Sequence, residues 1–138
     1  MSRLNIGDSL ILDSDYPNSE TKTGATWHDG KPIYEYHIVA GSYSKTGGTN
    51  ITITTDLTSR NVDTFIKTRG FLIRDIAGAL TVYEIGLTFV ATDGSYSPLA
   101  ITPYYNYSTK VHTVQLSGNT NMTFTKGDYY VYYTKTTD

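Results

Sequence analysis

Apolar and polar residues alternate along most of this chain with a period of two. The segment "TNITITT" is the clearest case: Ile51 and Ile53 fall on one side, Thr52 and Thr54 on the other. That alternation is what a half-buried strand requires. Comparable runs occupy residues 33–40, 64–75, 80–92, 99–107, 110–116, 122–125 and 128–135. Turn-rich stretches, "SYSKTGG", "DIAGA", "TDGSYSP" and "SGNTN", separate them, and "DLTSRNVD" suits a turn or one helical turn. Gly70 and Gly86 interrupt long runs and predict bulges. Pro103 predicts an edge strand or a break, because proline cannot donate to a ladder. Eight or nine short strands with no helical period between them predict an all-β fold, an antiparallel β-sandwich, jelly roll or barrel. The first residues lack this rhythm. "SRLNIGDSLIL" places Leu4, Ile6, Leu10 and Leu12 on one parity, a weak strand, and "DSDYPNSETKTGA" is polar and turn-rich. The chain therefore divides into an N-terminal arm and linker, 1–24, and a β-sandwich domain, 25–138.

Two segments break the alternation. In "DYYVYYTK", Tyr129, Val131 and Tyr133 share one face while Tyr130 and Tyr132 share the other. In "PYYNY", Tyr105 and Tyr107 share one face and Tyr104 lies on the opposite one. An antiparallel strand with one wet face alternates apolar and polar side chains. Aromatic residues on both faces leave three readings: tyrosines that tolerate water, a subunit interface through Tyr130 and Tyr132, or a ligand-stacking surface. A tyrosine ring offers an apolar face to a sugar and a hydroxyl to bond it, so the candidate ligand residues are Tyr43, Tyr96, Tyr104, Tyr105 and Tyr107.

Composition sharpens the fold and narrows the chemistry. The 138 residues suffice for one domain with a core. Hydrophobic residues make up 38% and charged residues 17%, with Thr, Ser, Tyr, Gly and Asn filling the difference, which favours strands over long helices. The net charge is −2 and the 11 Lys and Arg are scattered, so the clustered cations of a nucleic-acid interface are not expected. No apolar run reaches the about 18 residues of a membrane-crossing helix, and membrane insertion is not expected. There is no cysteine, hence no disulfide or thiolate metal site.

The three histidines, His28, His37 and His112, are too few and too poorly spaced for a zinc site, and a strand histidine bonded to a neighbour is the expectation. Asp13, Asp29, Asp56, Asp93 and Asp128 flank turns, where an aspartate caps backbone N–H groups. No G-x-S-x-G elbow, phosphate loop or calcium loop is present. No cofactor, no metal and no catalytic constellation is expected.

The segment "WHDGKPIY" adds a different kind of information. Gly30 permits a tight turn, and Pro32 fixes φ where a strand begins. Trp27, Asp29, Gly30, Lys31, Pro32 and Tyr34 at this spacing resemble a motif of the C-terminal tip domains of tailed-bacteriophage fibre and receptor-binding proteins. There, it introduces the first strand of the tip. The terminal "YYVYYTKTTD" is similar to the Tyr-rich last strand of those proteins, and "LTSRNVDTFIKTRG" to an internal segment. The resemblance covers roughly residues 25–138 and departs at Glu35, where many relatives carry a basic residue. It implies a β-sandwich tip, a homotrimer, exposed on the virion and binding a bacterial surface glycan or protein without cofactor or catalysis. Turn and packing chemistry make Trp27, Gly30, Lys31, Pro32 and Tyr34 scaffold rather than receptor contacts. Met1 precedes the motif by few residues, which leaves two expectations: the tip of a longer fibre, or a free-standing head fibre or capsid decoration protein that meets other virion proteins through residues 1–24.

Overall fold

A computed structural model describes residues 3–6, 9–12, 17–76, 78–86, 88–89, 99–118 and 121–138. It is all-β and antiparallel, with a β-sandwich-like arrangement and no α-helix among the described residues. A five-stranded sheet runs in the order β3 (Glu20–Thr26), β4 (Pro32–Ala40), β13 (Lys126–Lys135), β7 (Val62–Ile76), β8 (Ala79–Glu84). A four-stranded sheet runs β6 (Ile51–Asp56), β11 (Val111–Ser117), β10 (Leu99–Asn106), β9 (Thr88–Phe89). Two small sheets pair β5 (Tyr43–Lys45) with β12 (Met122–Phe124), and β1 (Arg3–Ile6) with β2 (Ser9–Leu12).

The core lies between the two large sheets. Tyr34, Tyr36 and Ile38 on β4, Leu72 on β7 and Tyr129, Val131 and Tyr133 on β13 meet Ile53, Ile101, Val114 and Leu116 from the facing sheet. Period-two alternation makes this possible, since each strand turns one parity inward. The outer parity of the five-stranded sheet carries Glu35, His37 and Val39 on β4, Lys67, Arg69 and Phe71 on β7, Asp128, Tyr130 and Tyr132 on β13, and Val82 and Glu84 on β8.

Several local expectations change. Residues 20–24, read as linker from their polar composition, belong to β3, which pairs with β4 from Glu20 to Thr26. Gly70 is not a bulge: it stays in register opposite Tyr129. Its reason is space, because a Cβ there would lie 2.4 Å from the Tyr129 Cα. The register shifts of β7 come instead between Lys67 and Phe65, and again before Val62. Gly86 ends a strand rather than bulging within one: its N–H crosses to the Ile101 carbonyl of the other sheet at 2.8 Å. Pro103 sits in a continuous β10 opposite Val114, and β9 pairs β10 only at Leu99 and Ala100. Past those two pairs its other side has no strand partner among the described residues, as suits a residue without a donor.

Candidate functional site

The motif residues organise the β3–β4 hairpin. Trp27 N–H donates to the Lys31 carbonyl and Gly30 N–H to the Trp27 carbonyl, both at 2.9 Å. Gly30 supplies the positive φ of 86° that the turn needs. Asp29 accepts the Lys31 N–H at 3.0 Å. Lys31 then reaches Asp63 at 2.6 Å and the Lys135 carbonyl at 3.3 Å, tying the turn to the adjacent ends of β7 and β13. Pro32 opens β4, and Tyr34 is buried, stacked 6.4 Å from Tyr133. Five of the six residues therefore hold the frame. Trp27 does more: its ring, tilted on His28 at 4.8 Å, also lines a surface cleft.

That cleft, about 330 Å³, opens on the outer face of the five-stranded sheet. Thr23, Ala25, Trp27 and Ile33 form the hairpin wall, and Ile66, Lys67, Arg69 and Tyr132 the opposite one. Lys67 lies 5.0 Å and the Arg69 guanidinium 6.0 Å from the Tyr132 ring centre. The Tyr132 hydroxyl donates to Glu35 at 2.7 Å. Burial, and next that bond, push the phenol well above its ordinary range, so it stays a neutral donor. Tyr130 stacks on His37 at 4.4 Å, and His37 pairs with Asp128 at 2.6 Å. Tyr130 and Tyr132 thus find much of their cover within their own chain. Asp128, expected as a turn cap, belongs to this strand-face pair instead. The histidine follows its expectation of a strand residue bonded to a neighbour.

A second cleft of about 490 Å³ lies at the side of the sandwich, where β8 ends and leaves the edge of β7 uncovered. Tyr104, Tyr105, Tyr107 and Pro103 from β10 and its turn face Phe65, Ile66, Lys67 and Thr68 of β7. Tyr105 stacks flat on Phe65 at 5.1 Å, and Tyr107 meets Tyr105 edge-on at 5.0 Å. Phe65 N–H donates to the Tyr107 hydroxyl at 2.8 Å, while the buried Tyr105 hydroxyl has no partner. Burial raises the Tyr105 phenol above its usual value. Tyr104 and Tyr107 remain 43% and 55% exposed, enough ring to meet a ligand. Ile66 and Lys67 line both clefts, so the two adjoin across β7.

The structure brings Tyr104, Tyr105 and Tyr107 together and separates Tyr43 from them. Tyr43 pairs with Phe124 in the small β5–β12 sheet and packs against the core. Tyr96, like Asp13 and Asp93, lies outside the described residues. Sequence reasoning missed Lys67 and Arg69; their signal was two cations at i and i+2 in "FIKTRG", which a strand turns to one face. His112 is buried in the core, its Nε2 2.8 Å from the Thr68 hydroxyl, and burial lowers its pKa to about 4. Comparison with protein-family models, curated proteins and solved structures finds no match.

Proposed function

We propose that this chain is a non-enzymatic bacteriophage virion protein: a jelly-roll-like fibre-tip module, homotrimeric and displayed on the virion surface, that adheres to a bacterial surface glycan or protein. The observation that carries this reading is the pair of adjoining clefts edged by Trp27, Tyr132, Tyr104 and Tyr107. Concave sites lined by aromatic rings with polar tips, mounted on strands, suit recognition of sugars and adaptable polar surfaces. The likeness of the Trp27–Tyr34 turn and the Tyr-rich last strand to fibre-tip domains supports the same conclusion. Fluorescently labelled protein should adsorb saturably to some bacterial strains and not others, and Tyr104→Ala with Tyr107→Ala should weaken that adsorption. Absence of adsorption across a broad strain panel would sink the adhesion reading. A monomeric mass by light scattering at micromolar concentration would remove the trimer.

A second reading is a head-fibre or capsid decoration protein attached through its N-terminal arm. It is favoured by β1 and β2 forming a two-stranded sheet of their own. Deleting residues 1–16 leaves β3 whole and separates the two. Lost particle attachment with an intact fold supports decoration, and unchanged attachment removes it.

A further inference from the structure

We infer that the Trp27 cleft is a binding site for a carboxylated pyranose, a uronic-acid-type unit of an anionic glycan; this deepens the adhesion reading and rests on it for its biological setting. Three features of the cleft carry it. The first is a concavity that holds two aromatic residues: the partly exposed Trp27 on the β3–β4 turn and the largely buried Tyr132 on β13 line the same 330 Å³ cleft, together with Ile33 and Ala25. A pyranose packs its C–H face on such a ring and displaces poorly held water.

The second is charge without a counterion. Lys67 and Arg69 project from one face of β7 into that cleft, and neither takes part in an ion pair among the described residues. Around the same sheet Lys31 pairs with Asp63, Lys135 with Glu20 and Lys126 with Asp128, while Lys22 on β3 and Arg74 on β7 also lack an ion pair among the described residues; Lys67 and Arg69 differ from these in lying side by side in one cleft. Glu35, the carboxylate beside Tyr132, is engaged by the Tyr132 hydroxyl rather than by either cation. Asp128, which faces Arg69 across a neighbouring hollow with Glu84, is held by His37. In a chain of net charge −2, two adjacent unneutralised cations beside aromatic rings mark a place for an anion.

The third is geometry specific to a carboxylate. The Arg69 guanidinium is a planar fork that accepts a carboxylate through two parallel N–H bonds, and Lys67 two residues away adds a point charge. Thr23 brings a hydroxyl to the same wall: its proton goes to the Ile33 carbonyl at 3.0 Å and its oxygen accepts the Ala25 N–H at 3.2 Å, so one lone pair is left to accept from a sugar hydroxyl. The cleft thus combines a stacking platform, an anion fork and an acceptor, which together fit an acidic sugar better than a bare anion or a neutral glycan.

Trp27 is the only tryptophan in the chain, so the site carries its own reporter. Tryptophan fluorescence of the full chain, titrated with tetragalacturonate, should change saturably, and maltotetraose of the same length should not bind comparably. Arg69→Gln should weaken the uronate affinity at least tenfold and Lys67→Gln several-fold, with Arg69→Lys recovering part of the loss. Lys110→Gln, in the exposed β10–β11 turn, should leave it unchanged. No saturable response to the uronate, equal binding of maltotetraose, equal competition by inorganic phosphate, or unaltered affinity in a folded Arg69→Gln protein would each overturn the inference. Adsorption to cells distinguishes this failure from that of the adhesion reading. Wild type and Arg69→Gln adsorbing equally to receptive cells overturns the cleft and leaves adhesion standing, whereas a tenfold loss in the variant supports the cleft. If neither adsorbs, adhesion falls and the titration alone decides the cleft.

Discussion

The two faces of β13 use the same amino acid for opposite ends. Inward, Tyr129 and Tyr133 are fully buried and Val131 sits between them. The Tyr133 hydroxyl is satisfied by Glu20, which Lys135 holds in turn, so a large ring is desolvated without an orphaned donor. Outward, Tyr130 and Tyr132 lie against other polar side chains: His37 under one ring, Lys67 and Arg69 over the other, Glu35 at the hydroxyl. The inner rings stabilise by area removed from water. The outer ones are held by polar and charged neighbours, Tyr132 largely covered by them and Tyr130 half-buried. A strand with tyrosine on both sides is therefore not two cores. It is a core on one side and a face of polar and charged contacts on the other.

The contrast can be broken most severely at Gly70. It stands opposite Tyr129, at φ 150°, and any side chain there strikes the β13 backbone at 2.4 Å. Gly70→Ala should cost roughly 4 kcal/mol or more, through overpacking against backbone and strained φ. Denaturant unfolding would show either a chain that does not fold or a large fall in midpoint; an unchanged midpoint contradicts the packing described. Next comes the paired test. Tyr129→Ala should lose about 3–5 kcal/mol, as an emptied core site does, and Tyr130→Ala clearly less. Equal losses on the two faces would remove the distinction.

A pH series sharpens the inner side further. His112 lies between the sheets, near Phe65 and Tyr129, and burial holds its pKa at about 4 against the ordinary 6.5. The folded state thus binds this proton less readily than the unfolded one. Its stabilising contribution is complete above about pH 6.5 and is lost as pH falls through that value towards 4. The drop from this one group amounts to about 3 kcal/mol at 1.36 kcal/mol per pKa unit. In His112→Gln the acid-side slope of stability between pH 6.5 and 4 should flatten; an unaltered slope would show that the imidazole does not titrate as its burial requires. The smallest effect is expected at Tyr132→Phe, which deletes only the bond to Glu35 and should cost about 1 kcal/mol in urea unfolding.

Much of this architecture was visible in residue order. The alternation of Ile51–Asp56 and the parity of Tyr129, Val131 and Tyr133 lie in the sequence as they lie in the sheet, because a strand's faces are a local property. The Trp27–Tyr34 turn was legible for the same reason: its Gly, Pro and Asp act within a few residues. Glu20–Thr26 was not, because an edge strand wet on both faces has no apolar parity to betray it, and only Thr21 among its residues is buried. Gly70 carried a correct signal of an unusual backbone position but not its cause, since the atom it makes room for is nearly 60 residues away. The Trp27 cleft escaped for a related reason. Its walls come from residues 23–33, 66–69 and 132, and their proximity depends on which strands pair. The Tyr104–Tyr107 group was found because one strand and its turn supply all three rings.

The position of β13 in the sheet also sets the order in which the protein can be built. It follows the other four strands of its sheet in chain order, yet it lies third of five, bonded to β4 on one side and β7 on the other. Until it emerges, the nascent chain holds β3–β4 and β7–β8 as separate hairpins, each with an unpaired edge, and the inner tyrosines' partners face water. Closure then occurs in one late step that joins residues far apart in sequence, a slow class of contact. Vectorial synthesis thus leaves the middle of the sheet open until β13 emerges, and its two hairpins meet only through that strand.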